Sequence, residues 1–162
     1  MNYGNEILLN SFQQQDARGR EEGKININKF DCIFKPTDPT TELCAGDLVK
    51  LNNANNKIMP TVEKVLPTDT YNADTMYGFI PLARKANIYQ DGDCVPVALT
   101  GCHMRMMAET AIGCGDVVYY DIAEGTNFGK VLTTDTPTAT QIRCGIAKTS
   151  CEADQLLTVI IR

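Results

Sequence analysis

The chain has 162 residues, 43% of them hydrophobic and 22% charged, with a formal net charge of -5. This length suits one domain or two small fused units, and a core of that size forms without metal or disulfide support. The acidic surface repels phosphate backbones and sets nucleic acid aside as a partner, and no apolar run approaches the roughly 20 residues of a membrane-spanning helix.

Residues 1–29 read as an N-terminal arm. The stretch 10–24 holds Gln13, Gln14 and Gln15, then Asp16, Arg18, Arg20, Glu21 and Glu22, and offers little to a core. Ahead of it, Ile7, Leu8, Leu9 and Phe12 have helical spacing. With Tyr3, they are the candidate contacts of an arm that docks on a neighbouring subunit; a flexible terminus is the plain alternative. Residues 1–12 lack the basic flank and apolar stretch of an export signal, so synthesis in a reducing cytosol is expected.

From residue 30 to 162 the pattern is β. Short apolar runs rich in Val, Ile, Tyr and Thr alternate with Gly, Pro, Asn and Asp. They predict strands over 30–35, 47–52, 58–65, 76–83, 94–99, 117–121, 129–133, 141–147 and 157–162. Helical alternatives fall at 83–88 and 104–110, the latter competing with a strand that continues from Leu99. The expected class is all-β, a small barrel or sandwich. The seven cysteines, Cys32, Cys44, Cys94, Cys102, Cys114, Cys144 and Cys151, include no CxxC pair and read as small buried apolar residues.

The chain also repeats itself, over about 43–99 and 112–162. Leu43-Cys44-Ala45-Gly46-Asp47-Leu48-Val49 matches Ile112-Gly113-Cys114-Gly115-Asp116-Val117-Val118. Gly78-Phe79-Ile80 answers Gly145-Ile146-Ala147. The acidic turn Asp91-Gly92-Asp93 before one closing strand answers Glu152-Ala153-Asp154 before the other. Gly permits positive φ and Asp caps backbone amides one or two residues on, so Gly46, Asp47, Gly92, Asp93, Gly115, Asp116 and Gly145 are assigned to structural turns that fix strand register.

The ordered series Ala111-Ile112, Gly115-Asp116, Gly129-Lys130-Val131, Gly145-Ile146-Ala147 and Val159 resembles the tailed-phage capsid cement, or head decoration, proteins. The likeness covers roughly three quarters of the chain. It departs at Ala153-Asp154-Gln155, where such proteins carry Gly-Asp or Gly-Glu, and in the insertion from Tyr71 to Tyr77. The resemblance implies a virion protein made in the host cytoplasm. It would bind the major capsid protein on the outer capsid surface and stabilise the shell, as a monomer or as a homo-oligomer such as a trimer.

Chemistry-bearing residues are sparse. His103 follows Cys102 directly, which sends the two side chains to opposite faces of a strand. His103 with Cys94, Cys102 or Cys114 lacks zinc-ligand spacing. Asp91, Asp93 and Asp121 do not form a calcium loop. Met104, Met106 and Met107 suit packing. No catalytic residue, cofactor or metal is expected. The competing reading is a ligand- or receptor-binding β-module of the virion, with Tyr71, Tyr77, Tyr89, Tyr119 and Tyr120 as a stacking surface; a Cys- or Asp-based hydrolase is a distant third.

Overall fold

The computed structural model describes residues 29–52, 59–72, 75, 77–82 and 88–162. Among these residues every regular element is a strand. In chain order they are β1 (Lys29–Phe34), β2 (Leu43–Cys44), β3 (Leu48–Asn52), β4 (Thr61–Lys64), β5 (Tyr77–Phe79), β6 (Ile88–Tyr89), β7 (Cys94–Ala98), β8 (His103–Met107), β9 (Val117–Asp121), β10 (Val131–Leu132), β11 (Gln141–Ala147) and β12 (Leu156–Ile161). The helical alternative at 104–110 is corrected: Met104 and Met106 are buried while His103, Arg105 and Met107 are partly exposed, the period of two that belongs to a strand. Nor does β8 continue from Leu99, because a turn intervenes in which Cys102 N–H donates to Leu99 O and Gly101 has φ of 95°. The expected arm, including Tyr3, Ile7, Leu8, Leu9 and Phe12, lies outside the described residues, except that Lys29 already belongs to β1.

The strands form two barrels of one topology. The first is closed in the order β1-β4-β3-β5-β7, with β1 pairing β7 antiparallel and β4 parallel. The second is a five-stranded sheet in the order β10-β9-β11-β12-β8, and a parallel bridge from Ala108 to Val131 joins its two edges. Strand for strand, β8-β10-β9-β11-β12 repeats β1-β4-β3-β5-β7. The parallel contact of Phe34 with Val62 in the first barrel corresponds to that of Ala108 with Val131 in the second.

Backbone hydrogen bonds repeat with the strands. Gly46 N–H donates to Ile80 O at 2.7 Å and Ile80 N–H to Asp47 O at 3.0 Å; their counterparts run from Gly115 to Ala147 at 2.8 Å and from Ala147 to Asp116 at 2.9 Å. Phe34 N–H donates to Asp93 O as Ala108 N–H does to Gln155 O, both at 2.9 Å. Each structural repeat therefore begins one strand earlier than the sequence repeat, at β1 and at β8.

Two apolar clusters fill this frame. Cys32, Phe34, Val49, Val62, Val95 and Val97 pack inside the first barrel. The second cluster, with Met104, Met106, Val118, Tyr120, Leu157 and Val159, also takes in Leu48, Val65, Phe79 and Ala98 from the first barrel. Adjacent residues Leu48 and Val49 are thus both buried, one against the neighbouring barrel and one in its own core. Phe79 meets Tyr120 edge-on across this junction, centroids 5.4 Å apart. All seven cysteines are free thiols; Cys32, Cys102 and Cys144 are buried and Cys44 and Cys151 partly so, but Cys94 and Cys114 are exposed, which corrects the expectation that all seven are core residues. Burial pushes the Cys32 and Cys144 thiols up to about 12.

Candidate functional site

The Gly-Asp motifs build one kind of corner. At residues 44–47, 90–93 and 113–116 the fourth residue donates its N–H to the carbonyl of the first, closing a β-turn. Gly46, Gly92 and Gly115 sit third, with φ of 87°, 91° and 94°, the hand that a type II turn demands at that position. The Asp carboxylate then reaches back rather than forward. Asp47 Oδ2 accepts from Cys44 N–H at 2.7 Å, Asp93 Oδ2 from Gln90 N–H at 2.8 Å and Asp116 Oδ2 from Gly113 N–H at 2.8 Å. Each Asp therefore caps the amide three residues behind it, where capping one or two residues ahead was expected.

A fourth corner stands where the sequence departs from the resembled pattern. Asp154 takes the glycine's place, with φ of 57°, a left-handed conformation that Asp tolerates better than most residues. Gln155 takes the Asp's place, its Oε1 accepting from Glu152 N–H at 3.3 Å. The motif is lost, while the left-handed third residue and the side chain that reaches back to the first amide are kept. Gly145 is corrected from a turn to an interior position of β11, at the register shift opposite β9. A Cβ there would overlap the carbonyl oxygen of Ile160, as one at Gly78 would overlap Val97 Cγ1. Glycine at both sites is required by the close approach of β11 to β12 and of β5 to β7.

The chemistry-bearing candidates are dispersed. Cys102 is buried, while His103 Nδ1 lies 3.4 Å from Lys148 Nζ on the exposed side of β8. Among the described residues no group of three or more His, Cys, Asp or Glu is placed to hold a metal ion. Asp91 pairs with Lys35 at 2.9 Å, and Asp121 caps Ala123 N–H at 2.7 Å. Sequence reasoning did not single out Glu109. Its Oε1 accepts from Asn127 Nδ2 at 2.8 Å, but its buried Oε2 has no partner among the described residues. Desolvation, then the charge of Asp121, hold its carboxyl above the usual range against the opposing pull of Lys130.

The five tyrosines do not form one platform, because Tyr89 and Tyr120 are buried core residues. Tyr71 and Tyr77 do associate, stacked at 5.4 Å between centroids and 25° between planes. Tyr77 Oη accepts from Asn72 N–H at 3.0 Å and so ties the loop down, while Tyr71 remains 46% exposed. The pair borders a cleft of about 150 Å³ between the two barrels, closed on the other side by Thr100, Arg143 and Arg162. The roomier hollow beside Lys35 and Lys50, about 580 Å³, has its charges matched internally, Lys50 Nζ lying 2.6 Å from Asp69 and 3.5 Å from Glu63.

No family model matches the chain. No curated protein matches it. Among solved structures it is similar to the base of the head fiber gp8.5 of bacteriophage phi29, at 18% identity and a TM-score of 0.44, over 84% of this chain and 94% of that one.

Proposed function

We propose that this chain is a non-enzymatic structural protein of a tailed-phage virion, held on the outer surface of the head by the major capsid protein and stabilising the shell. One observation supports the reading above the others: the motif series that resembles the capsid decoration proteins falls on the corners and closing strands of a duplicated barrel. The side chains with reactive potential sit apart from one another. On a repeating lattice such a protein gains avidity from many modest contacts, through an interface of about 1,200 Å² or more in total. The arm carrying Tyr3, Ile7, Leu8, Leu9 and Phe12 is assigned to those contacts, and the resemblance implies either a homotrimer at local three-fold positions or a monomer on capsomer faces.

Co-sedimentation with heads stripped of their decoration tests this. Saturable binding at a fixed ratio to the major capsid protein is expected, weakened by deletion of residues 1–24. A folded protein that stays in the supernatant refutes the reading. A second reading, a ligand- or receptor-binding module of the virion, is favoured by the Tyr71–Tyr77 stack at the mouth of the cleft.

A further inference from the structure

We infer that the cleft between the barrels is a binding site for a carboxylate-bearing sugar, an inference that deepens the second reading above. Three independent features converge there. Tyr71 is stacked against Tyr77 and is 46% exposed, so about half of its surface remains available to a ligand. A flat aromatic face backed by a second ring is a rigid platform for the apolar side of a pyranose. Arg143 and Arg162 both line the cleft, and neither makes an ion pair among the described residues. In a chain of net charge -5, where Lys35, Lys50, Lys64 and Lys130 are each matched by a carboxylate, two unmatched guanidiniums at one place are unusual. Guanidinium pairs with carboxylate in a two-pronged, planar geometry that a neutral sugar does not satisfy. The cleft, at about 150 Å³, has the volume of about five waters, which suits a single sugar ring rather than an extended chain.

The fold explains why these residues meet. Arg143 stands where the β9–β11 register shifts before Gly145, and such a shift re-aims the side chains beside it. Arg162 is brought alongside by its N–H, which donates to Cys144 O at 3.0 Å. Thr100, in the turn between the barrels, adds a hydroxyl at the rim. The site thus exists only because two barrels share one junction, and it has no counterpart inside either repeat.

The test is titration of the full chain with glucuronic acid, followed by amide NMR shifts, with glucose and glucose 6-phosphate alongside. Glucuronic acid is expected to move the amides of Thr100, Arg143 and Ile161 saturably, with glucose about tenfold weaker. Arg143→Gln should weaken binding about tenfold and Tyr71→Ala several-fold, whereas Tyr71→Phe should bind as the parent does. Both residues are exposed, and an unchanged amide spectrum elsewhere certifies the fold of each variant. Absence of any shift with glucuronic acid, or unchanged affinity in Arg143→Gln and Tyr71→Ala, overturns the inference. Equal or tighter binding of glucose 6-phosphate overturns the carboxylate assignment. Capsid binding is scored separately by co-sedimentation, so either reading can fail alone.

Discussion

Replacing the corner aspartates one at a time with alanine yields a graded series whose order follows from burial. Asp47 is the most enclosed: its side chain is 4% exposed, accepts from Cys44 N–H at 2.7 Å and pairs with Lys64 Nζ at 2.7 Å. Asp47→Ala strips a charged partner from both groups. A charge-assisted hydrogen bond contributes about 1.5–3 kcal/mol, and breaking a partly buried pair adds to that, so the loss is about 3 kcal/mol. Asp116, part-buried and holding one amide, should cost about 1.5 kcal/mol. Asp93, exposed, should cost under about 1 kcal/mol because water replaces the lost acceptor. Asp47→Asn keeps an acceptor for Cys44 N–H and loses only the ion pair, so it should fall about midway between the parent and Asp47→Ala. Urea unfolding reads the series directly, and the apolar cluster shared across the barrels predicts a single transition. An Asp93→Ala loss as large as that of Asp47→Ala would refute the reasoning, as would an Asp47→Ala loss below about 1 kcal/mol.

Two further predictions concern the glycines and Glu109. Gly115→Ala meets open space but must hold φ near 94°, so backbone strain alone costs about 1–2 kcal/mol. Gly145→Ala collides with the Ile160 carbonyl oxygen and should cost more than about 3 kcal/mol; thermal melts giving the opposite order would contradict the close strand approach. Glu109→Gln should raise the urea midpoint at neutral pH. The Glu109 carboxyl sits above its ordinary 4.5 in the folded state, so it favours folding only while protonated, and that favour is lost as pH rises through the folded value. The advantage of Glu109→Gln should therefore fade as pH falls through the raised folded value and be gone below 4.5; an advantage that grows in acid would reverse the sign.

Much of the fold was legible because local chemistry and final structure agree. β9 and β11 fall at the predicted bounds, and β1, β3, β7 and β12 lie within one residue of them at either end. In each, a short apolar run is framed by a Gly-Asp corner or another turn residue. β2 and β6 were missed because two-residue strands exist only through their pairing, Leu43 with Tyr89 and Cys44 with Ile88. The kinship of β1 with β8 was invisible, since KFDCIF and HMRMM share a place in the barrel but no side-chain identity. The fourth corner was hidden for the opposite reason: Asp154 and Gln155 reproduce with other side chains what Gly and Asp do elsewhere. Leu48 beside Val49 broke the expected inside-outside alternation because the sequence does not announce that a second barrel covers the outer face of the first. The cleft was illegible on the same ground, as Tyr71 comes beside Arg143 and Arg162 only through that docking.

The measurement that bears most directly on the central claim is a cryo-EM reconstruction of stripped phage heads incubated with the purified chain. The account predicts added density on the outer surface, at one symmetry-defined position per capsid subunit group, into which two side-by-side five-stranded barrels fit. Heads whose outer surface is unchanged at saturating protein, with the chain folded in solution, would contradict it.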